Sequence, residues 1–169
     1  MPCIMRMTQR YARYRVIGPF LLSLVSVTLA AQPAAFPITA GQINTCTGAL
    51  LDSGGQGAGG YQNNENYTAV ICADVPGESI SLNWITANLS TAGTAPIDRI
   101  RIWDGDNTSA PLLGEYTGTQ LQGLIVSASS SNPTGCLTVQ FTSNNTGTGV
   151  FAASITCYTP CERPTAVAS

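Results

Sequence analysis

The chain has 169 residues, with seven arginines, no lysine and no histidine against nine carboxylates, a formal charge of −2. Without histidine or lysine the usual general bases and Schiff-base nucleophiles are missing, which leaves little basis for an enzyme. So few cations cannot neutralise a run of phosphates, so nucleic acid is excluded as a partner.

The first 31 residues read as a signal peptide. Arg6, Arg10, Arg13 and Arg15 precede an uncharged apolar run from Val16 to Ala31, and small residues offer a cleavage point just before Gln32. A basic start, a short apolar middle and a small-residue exit mark export. The run falls short of the roughly 20 residues needed to cross a bilayer, so no membrane span is expected in the mature form. Cleavage leaves Arg99, Arg101 and Arg163 against nine carboxylates, a charge of −6. An anionic membrane surface would repel such a chain.

Residues 32–45 read as an extended leader. Beyond them, Thr, Ser, Gly and Asn dominate, a composition of strands and turns. Strands are expected around Ala49–Asp52 and Thr68–Cys72. A clear one follows where Ile80, Leu82 and Trp84 alternate with Ser79, Ser81 and Asn83. Ile100 and Ile102 alternate with Arg99, Arg101 and Trp103; weaker strands fall at Leu112–Tyr116 and Leu121–Ser127. Leu137, Val139 and Phe141 form another alternating set, as do Phe151, Ala153 and Ile155. A period of two with one apolar face means half-buried strands. Turn signals at Pro76-Gly77, Gly93–Pro96, Asp104–Asn107 and Asn144–Gly147 separate them. Many short strands with no helical period predict an all-β, two-sheet sandwich.

Export places the cysteines in an oxidising compartment. Cys3 leaves with the signal peptide, so Cys46, Cys72, Cys136, Cys157 and Cys161 remain. A bridge from Cys46 to Cys72 would tie the glycine-rich loop between them. Cys136 and Cys157 flank a predicted hairpin centred on Asn145 and Thr146, which favours a second bridge. Parity speaks against that pair, because Cys157 shares a face with Ile155 whereas Cys136 lies opposite Leu137; Cys161 is the other candidate partner. One cysteine is left over. Zinc is not supported, since the spacings are not Cys-x2-Cys and histidine is absent.

The glycine-rich loop, Asp52 to Asn64, invites a phosphate-binding reading. Such a loop needs Gly-Lys-Ser/Thr leading into a helix; here there is no lysine and a strand follows. Asp104-Gly105-Asp106-Asn107 lacks the remaining ligands of an EF-hand and reads as a hairpin turn. The carboxylates Asp98, Asp104, Asp106 and Glu115 show no spacing that singles out a glycosidase pair.

Several segments together resemble a known family. Cys46-Thr-Gly48, Asp52-Ser-Gly-Gly55, Tyr61-Gln-Asn-Asn64 and Ile80-Ser-Leu82-Asn-Trp84 are similar to the first half of a CUB domain. Asp98-Arg-Ile-Arg-Ile-Trp-Asp-Gly105, Pro111-Leu-Leu-Gly114 and Tyr116-Thr-Gly118 resemble its middle. Leu137-Thr-Val-Gln-Phe141-Thr-Ser143 and Val150-Phe-Ala-Ala-Ser-Ile155 resemble its end. The resemblance spans residues 46–157, and the variety looks like that of bacterial secreted or surface proteins. Residues 158–169 then read as a linker towards a further β-domain. The resemblance implies a jelly-roll sandwich of two antiparallel sheets, secreted or on the cell surface, that binds a protein or a glycan and is no catalyst.

Many members of that family hold calcium through three carboxylates at one end of the sandwich. Asp98 matches one position; the other two fall near Asn88–Ser90 and at Asn144, where no acid stands. The resemblance therefore implies at most a weak calcium site at Asp98, Asn144 and Asn145, since affinity grows with the number of charged ligands. Otherwise Asp98 accepts hydrogen bonds from turn amides. Tyr61 and Trp103 are candidate aromatic contacts to a ligand, or core residues; Glu65 is a candidate ligand-binding acid, or simply solvated. The sequons at Asn66, Asn88, Asn107 and Asn144 carry glycans only in a host with the machinery. A structural spacer with no ligand of its own is the alternative function.

Overall fold

The computed structural model describes residues 32–57 and 59–160. The expected signal peptide, Cys161 and residues 161–169 of the expected linker lie outside the described residues.

The alternation seen in the sequence becomes ten strands. They are β1 (Ala35–Pro37), β2 (Gln42–Asn44), β3 (Thr47–Leu51), β4 (Asn66–Cys72), β5 (Ser79–Asn88), β6 (Arg99–Trp103), β7 (Leu112–Tyr116), β8 (Ile125–Ser127), β9 (Leu137–Thr142) and β10 (Val150–Tyr158). One sheet runs β1-β3-β10-β5-β8 and the other β2-β4-β9-β6-β7. Consecutive strands therefore often lie in different sheets, as expected of a sandwich with crossing connections.

Both sheets are mixed rather than purely antiparallel. β1 runs parallel to β3, and β2 parallel to β4. Residues 32–45 thus differ from the expected leader. They are extended, but they add an edge strand to each sheet and bury Ile38 and Ile43 in the common core. Their periodicity is too short to register: β1 and β2 are three residues each.

The inward faces carry the alternating apolar residues. Ile80, Leu82 and Trp84 of β5 meet Ile100 and Ile102 of β6 and Leu137, Val139 and Phe141 of β9, all fully buried. Aromatic rings join the sheets at one end: Phe141 lies 5.1 Å from Phe151 and 4.5 Å from Tyr61. Truncating such a ring to alanine typically costs ~3–5 kcal/mol.

The disulfides correct the expected pairing. Cys46 bonds Cys157, and Cys72 bonds Cys136. Strand register is the physical reason. β3 and β10 are antiparallel neighbours with Thr47 opposite Thr156, which brings the Cα atoms of Cys46 and Cys157 to 4.9 Å. β4 and β9 pair Ile71 with Leu137, which brings Cys72 and Cys136 to 4.3 Å. Closeness in sequence misled because β9 and β10 lie in different sheets and form no hairpin. Both bridges close the same end of the sandwich, where β3 and β9 begin and β4 and β10 finish. The glycine-rich loop crosses between the sheets at the opposite end, from β3 to β4, and no bridge staples it.

Candidate functional site

Six strand ends converge at the end away from the disulfides: those of β3, β4, β5, β6, β9 and β10. The loops joining them are short of apolar residues, and their backbone amides need partners. Asp98, just ahead of β6, supplies two acceptors. Its Oδ1 accepts from the Asn144 backbone N–H at 2.7 Å and its Oδ2 from the Tyr61 hydroxyl at 2.8 Å. The Ser90 N–H in turn donates to the Tyr61 oxygen at 2.7 Å. Asp98 and Tyr61 are both fully buried. Burial pushes the Tyr61 phenol well above its ordinary range, and the Asp98 carboxylate adds to that, so the group remains a donor at any physiological pH.

Asp98 and Asn144, two of the positions where the family resemblance places calcium ligands, meet in this cluster, and Ser90, at the end of the Asn88–Ser90 stretch expected to hold the third, joins them through Tyr61. Their chemistry does not fit the ion. Calcium takes six to eight hard oxygens and its affinity rises with carboxylate count. Here a single buried carboxylate has both oxygens already accepting hydrogen bonds. The Asn144 side chain is committed too, its Oδ1 accepting from the Thr146 N–H at 2.8 Å and its Nδ2 donating to the Ala92 carbonyl at 2.9 Å. Asn145 Oδ1 accepts from the Thr146 hydroxyl at 3.0 Å. Hydrogen bonds hold together what charge would otherwise bind.

The other candidates separate. Tyr61 lies at the cluster but offers no surface to a ligand; it is a core residue whose hydroxyl ties three loops. Trp103 is buried at the far end of β6, five residues from Asp98, about 16 Å at ~3.3 Å per residue. It belongs to the disulfide end. Glu65 is half-buried and accepts from the Ser53 hydroxyl at 2.6 Å, while its N–H donates to Ser143 Oγ at 2.9 Å. Glu65 thus fastens the glycine-rich loop to the turn after β9 instead of facing a ligand.

The glycine-rich loop is held by three further devices. Asp52 makes a turn, its Oδ1 accepting from the Gly54 N–H at 2.9 Å, and its Oδ2 accepts from Phe151 at 3.2 Å. Gly60 has φ 63° and its backbone abuts Gly149, leaving no room for a side chain. The Tyr61 N–H donates to the Gly149 carbonyl at 3.1 Å. The expected hairpin turn at Asp104 joins β6 to β7. Its Gly105 is required by close approach to Ala110 and not by a positive φ. Asp104 Oδ1 accepts from Ser129 N–H and Asn132 Nδ2, which fixes a loop at the disulfide end.

Cys46, Glu78 and Cys157 also lie close together, with Glu78 Oε2 3.3 Å from Cys46 Sγ. The two sulfurs are bonded to each other and provide no thiolate, so this is no metal centre.

Beside the Asp98 cluster, on the outer face of the β2-β4-β9-β6-β7 sheet, an open pocket of about 280 Å³ lies between the 94–97 loop and the 142–145 turn. Asn64, Thr142, Ser143 and Asn145 line its polar side, and Pro96 and Ile97 its apolar side. Arg99 enters from β6. Its Nε is buried with no hydrogen-bond partner among the described residues and stands 3.9 Å from Glu115 Oε2. Arg101 takes that carboxylate directly at 2.5 Å. An unpartnered buried N–H costs ~1–3 kcal/mol. Sequence reasoning missed Arg99. The signal was its place next to Asp98 at the mouth of an alternating strand, as one of only three cations beyond residue 31.

No protein-family model matches the chain. Cubilin of Homo sapiens is 34% identical over 97 residues, covering 57% of this chain and 2% of that protein. Cubilin of Canis lupus familiaris is 36% identical over 85 residues, covering 50% of this chain and 2% of that protein. The chain thus spans only a small part of the length of the relatives it matches. Among solved structures, the CUB1-EGF-CUB2 domain of human MASP-1/3 superposes with a TM-score of 0.54 at 16% identity, over 71% of this chain and 42% of that one. The full extracellular region of zebrafish Gpr126/Adgrg6 gives 0.54 at 15%, over 70% of this chain and 14% of that one. The MASP-1 CUB2 domain bound to Ca2+ gives 0.50 at 15%, over 70% of this chain and 98% of that one. In fold, the described residues form a CUB-domain sandwich.

Proposed function

We propose that this chain is an extracellular, non-catalytic binding module of a larger secreted or surface protein, and that it binds through the loop end. The observation that carries this reading is the pocket beside Arg99. It is concave, lined by amide, hydroxyl and guanidinium groups, and backed by a buried hydrogen-bond cluster that keeps its walls in place. A preformed concavity with convergent polar groups, held on a rigid scaffold, is the usual form of a recognition site.

The chemistry of the loop end suits recognition and not turnover. The chain has no histidine or lysine, and the acids beside the pocket are engaged: Asp98 accepts from Asn144 and Tyr61, and Arg101 holds Glu115. The disulfides and the likeness to part of cubilin support an extracellular setting. Among the described residues no helix is long and apolar enough to cross a membrane.

The test is a binding screen of the purified chain against arrayed glycans and extracellular proteins, repeated with Asn145→Arg, which fills the exposed rim of the pocket. Saturable binding lost in this variant supports the reading. Binding that survives it moves the site elsewhere, and silence across both arrays returns the chain to a spacer role.

A further inference from the structure

We infer that the pocket at the loop end takes an acidic sugar, with the ligand carboxylate on Arg99; this rests on the binding reading above. The first ground is charge. Arg99 and Arg101 are the two cations among the described residues, and they stand on the same face of β6. Arg101 is spent on Glu115 at 2.5 Å, whereas Arg99 reaches that carboxylate only at 3.9 Å; its Nε is buried, while the side chain as a whole keeps 22% of its surface exposed. A guanidinium that lines a pocket with its exposed part and lacks a close ion pair is a carboxylate receptor, because its planar N–H groups match two oxygens at once.

The second ground is size and lining. A pocket of about 280 Å³ is at the lower limit for small-molecule sites, room for one ring. Amides and hydroxyls from Asn64, Thr142, Ser143 and Asn145 present both donors and acceptors around that space. This mixture suits a ring bearing several hydroxyls better than an aliphatic acidic side chain. Pro96 and Ile97 give one apolar wall for its C–H face. Among the described residues no aromatic ring lines the pocket, so a neutral sugar has no stacking platform there and the charge must supply the hold.

The third ground is preorganisation. The Asn144 backbone is fixed by Asp98, and its side chain by Ala92 and Thr146, so this wall does not need to be ordered on binding. Asp98 and Tyr61 act here as positioning residues, not as contacts.

Ligand-observed NMR titration of the full exported chain tests this with methyl glucuronide, methyl glucoside and a capped glutamate peptide. The expected result is saturable binding of the glucuronide, at least tenfold weaker binding of the glucoside, and at least tenfold loss in Arg99→Gln with Asp106→Asn, in the exposed β6–β7 turn, near wild type. Circular dichroism melting confirms that both variants fold; Asn145→Arg serves as a second pocket variant should Arg99→Gln fail to. Equal binding of glucoside and glucuronide overturns the charge argument. Preference for the peptide overturns the sugar class. If arrayed ligands bind through the pocket but no acidic sugar does, this inference falls while the binding reading stands; if nothing binds on any array, both fall.

Discussion

Tyr61 and Asp98, 37 residues apart in sequence, share a 2.8 Å hydrogen bond in full burial. The tyrosine ring packs on Phe141 in the core while its hydroxyl leaves the core to reach the loops. Through it the glycine-rich loop, the Ser90 amide and the turn at Asn144 are joined to one carboxylate. The packing of the sandwich therefore sets the geometry of the loop end.

That relationship gives a direct expectation. Tyr61→Phe keeps the ring but removes the donor to Asp98 and the acceptor for Ser90, leaving a buried carboxylate oxygen and a part-buried amide short of a partner. Stability falls by about 1–3 kcal/mol, mostly the cost of the orphaned carboxylate. Urea unfolding followed by tryptophan fluorescence measures it. A loss below about 0.5 kcal/mol, within the range of ordinary surface substitutions, would show that the hydroxyl does not hold the loops.

Calcium should leave the protein unmoved. A ligand that binds the folded state raises stability by RT ln(1 + [L]/Kd), so even a site half-saturated at millimolar ion gives a visible shift in ten millimolar calcium. The melting temperature is expected to be the same in excess calcium and in chelator. A rise of several degrees with calcium, absent with magnesium, would mean that Asp98 exchanges its hydrogen bonds for an ion.

The disulfide pairing is open to the same kind of check. Peptide mapping without reduction should give Cys46 linked to Cys157 and Cys72 linked to Cys136. Replacing Cys72 and Cys136 together by alanine is expected to cost ~2–5 kcal/mol, since the bridge closes a span of 64 residues. Any peptide joining Cys46 to Cys72 would contradict the register of both sheets.

What was legible follows the physics of each element. Long strands with one buried face, such as β5 and β9, announce themselves by alternation, because burial of Leu82 or Val139 leaves a period of two in the sequence. β1 and β2 leave no such mark at three residues each, and their parallel partners are set by tertiary packing alone. Asp98 was visible as a turn-opening acid whose hydrogen bonds go to amides, and the Asn144 backbone is one of them. The burial of Tyr61 was not, since an aromatic among asparagines reads equally as contact or core. Disulfides misled because strand adjacency, not loop length, decides which cysteines meet. Arg99 stayed hidden because a pocket is made by three loops that only the fold brings together.

Asp52 provides a last test, through pH. It is nearly buried at the root of the glycine-rich loop, and desolvation raises its carboxyl above the ordinary 3.8, against the lowering effect of hydrogen bonds from Phe151 and Gly54. The folded state thus holds this proton to higher pH than the unfolded chain does. Its contribution to stability is complete below the unfolded value and is lost as pH rises through the folded one. Asp52→Asn does not titrate, whereas the remaining carboxylates are shared by both proteins and cancel in a comparison. The stability of wild type relative to Asp52→Asn should therefore decline as pH rises from 3.8 through the raised folded value, then level off towards neutrality. Urea midpoints collected across that range give the difference directly. A difference that grows with pH would mean that the loop amides outweigh burial and that the charged carboxylate is the form the fold prefers.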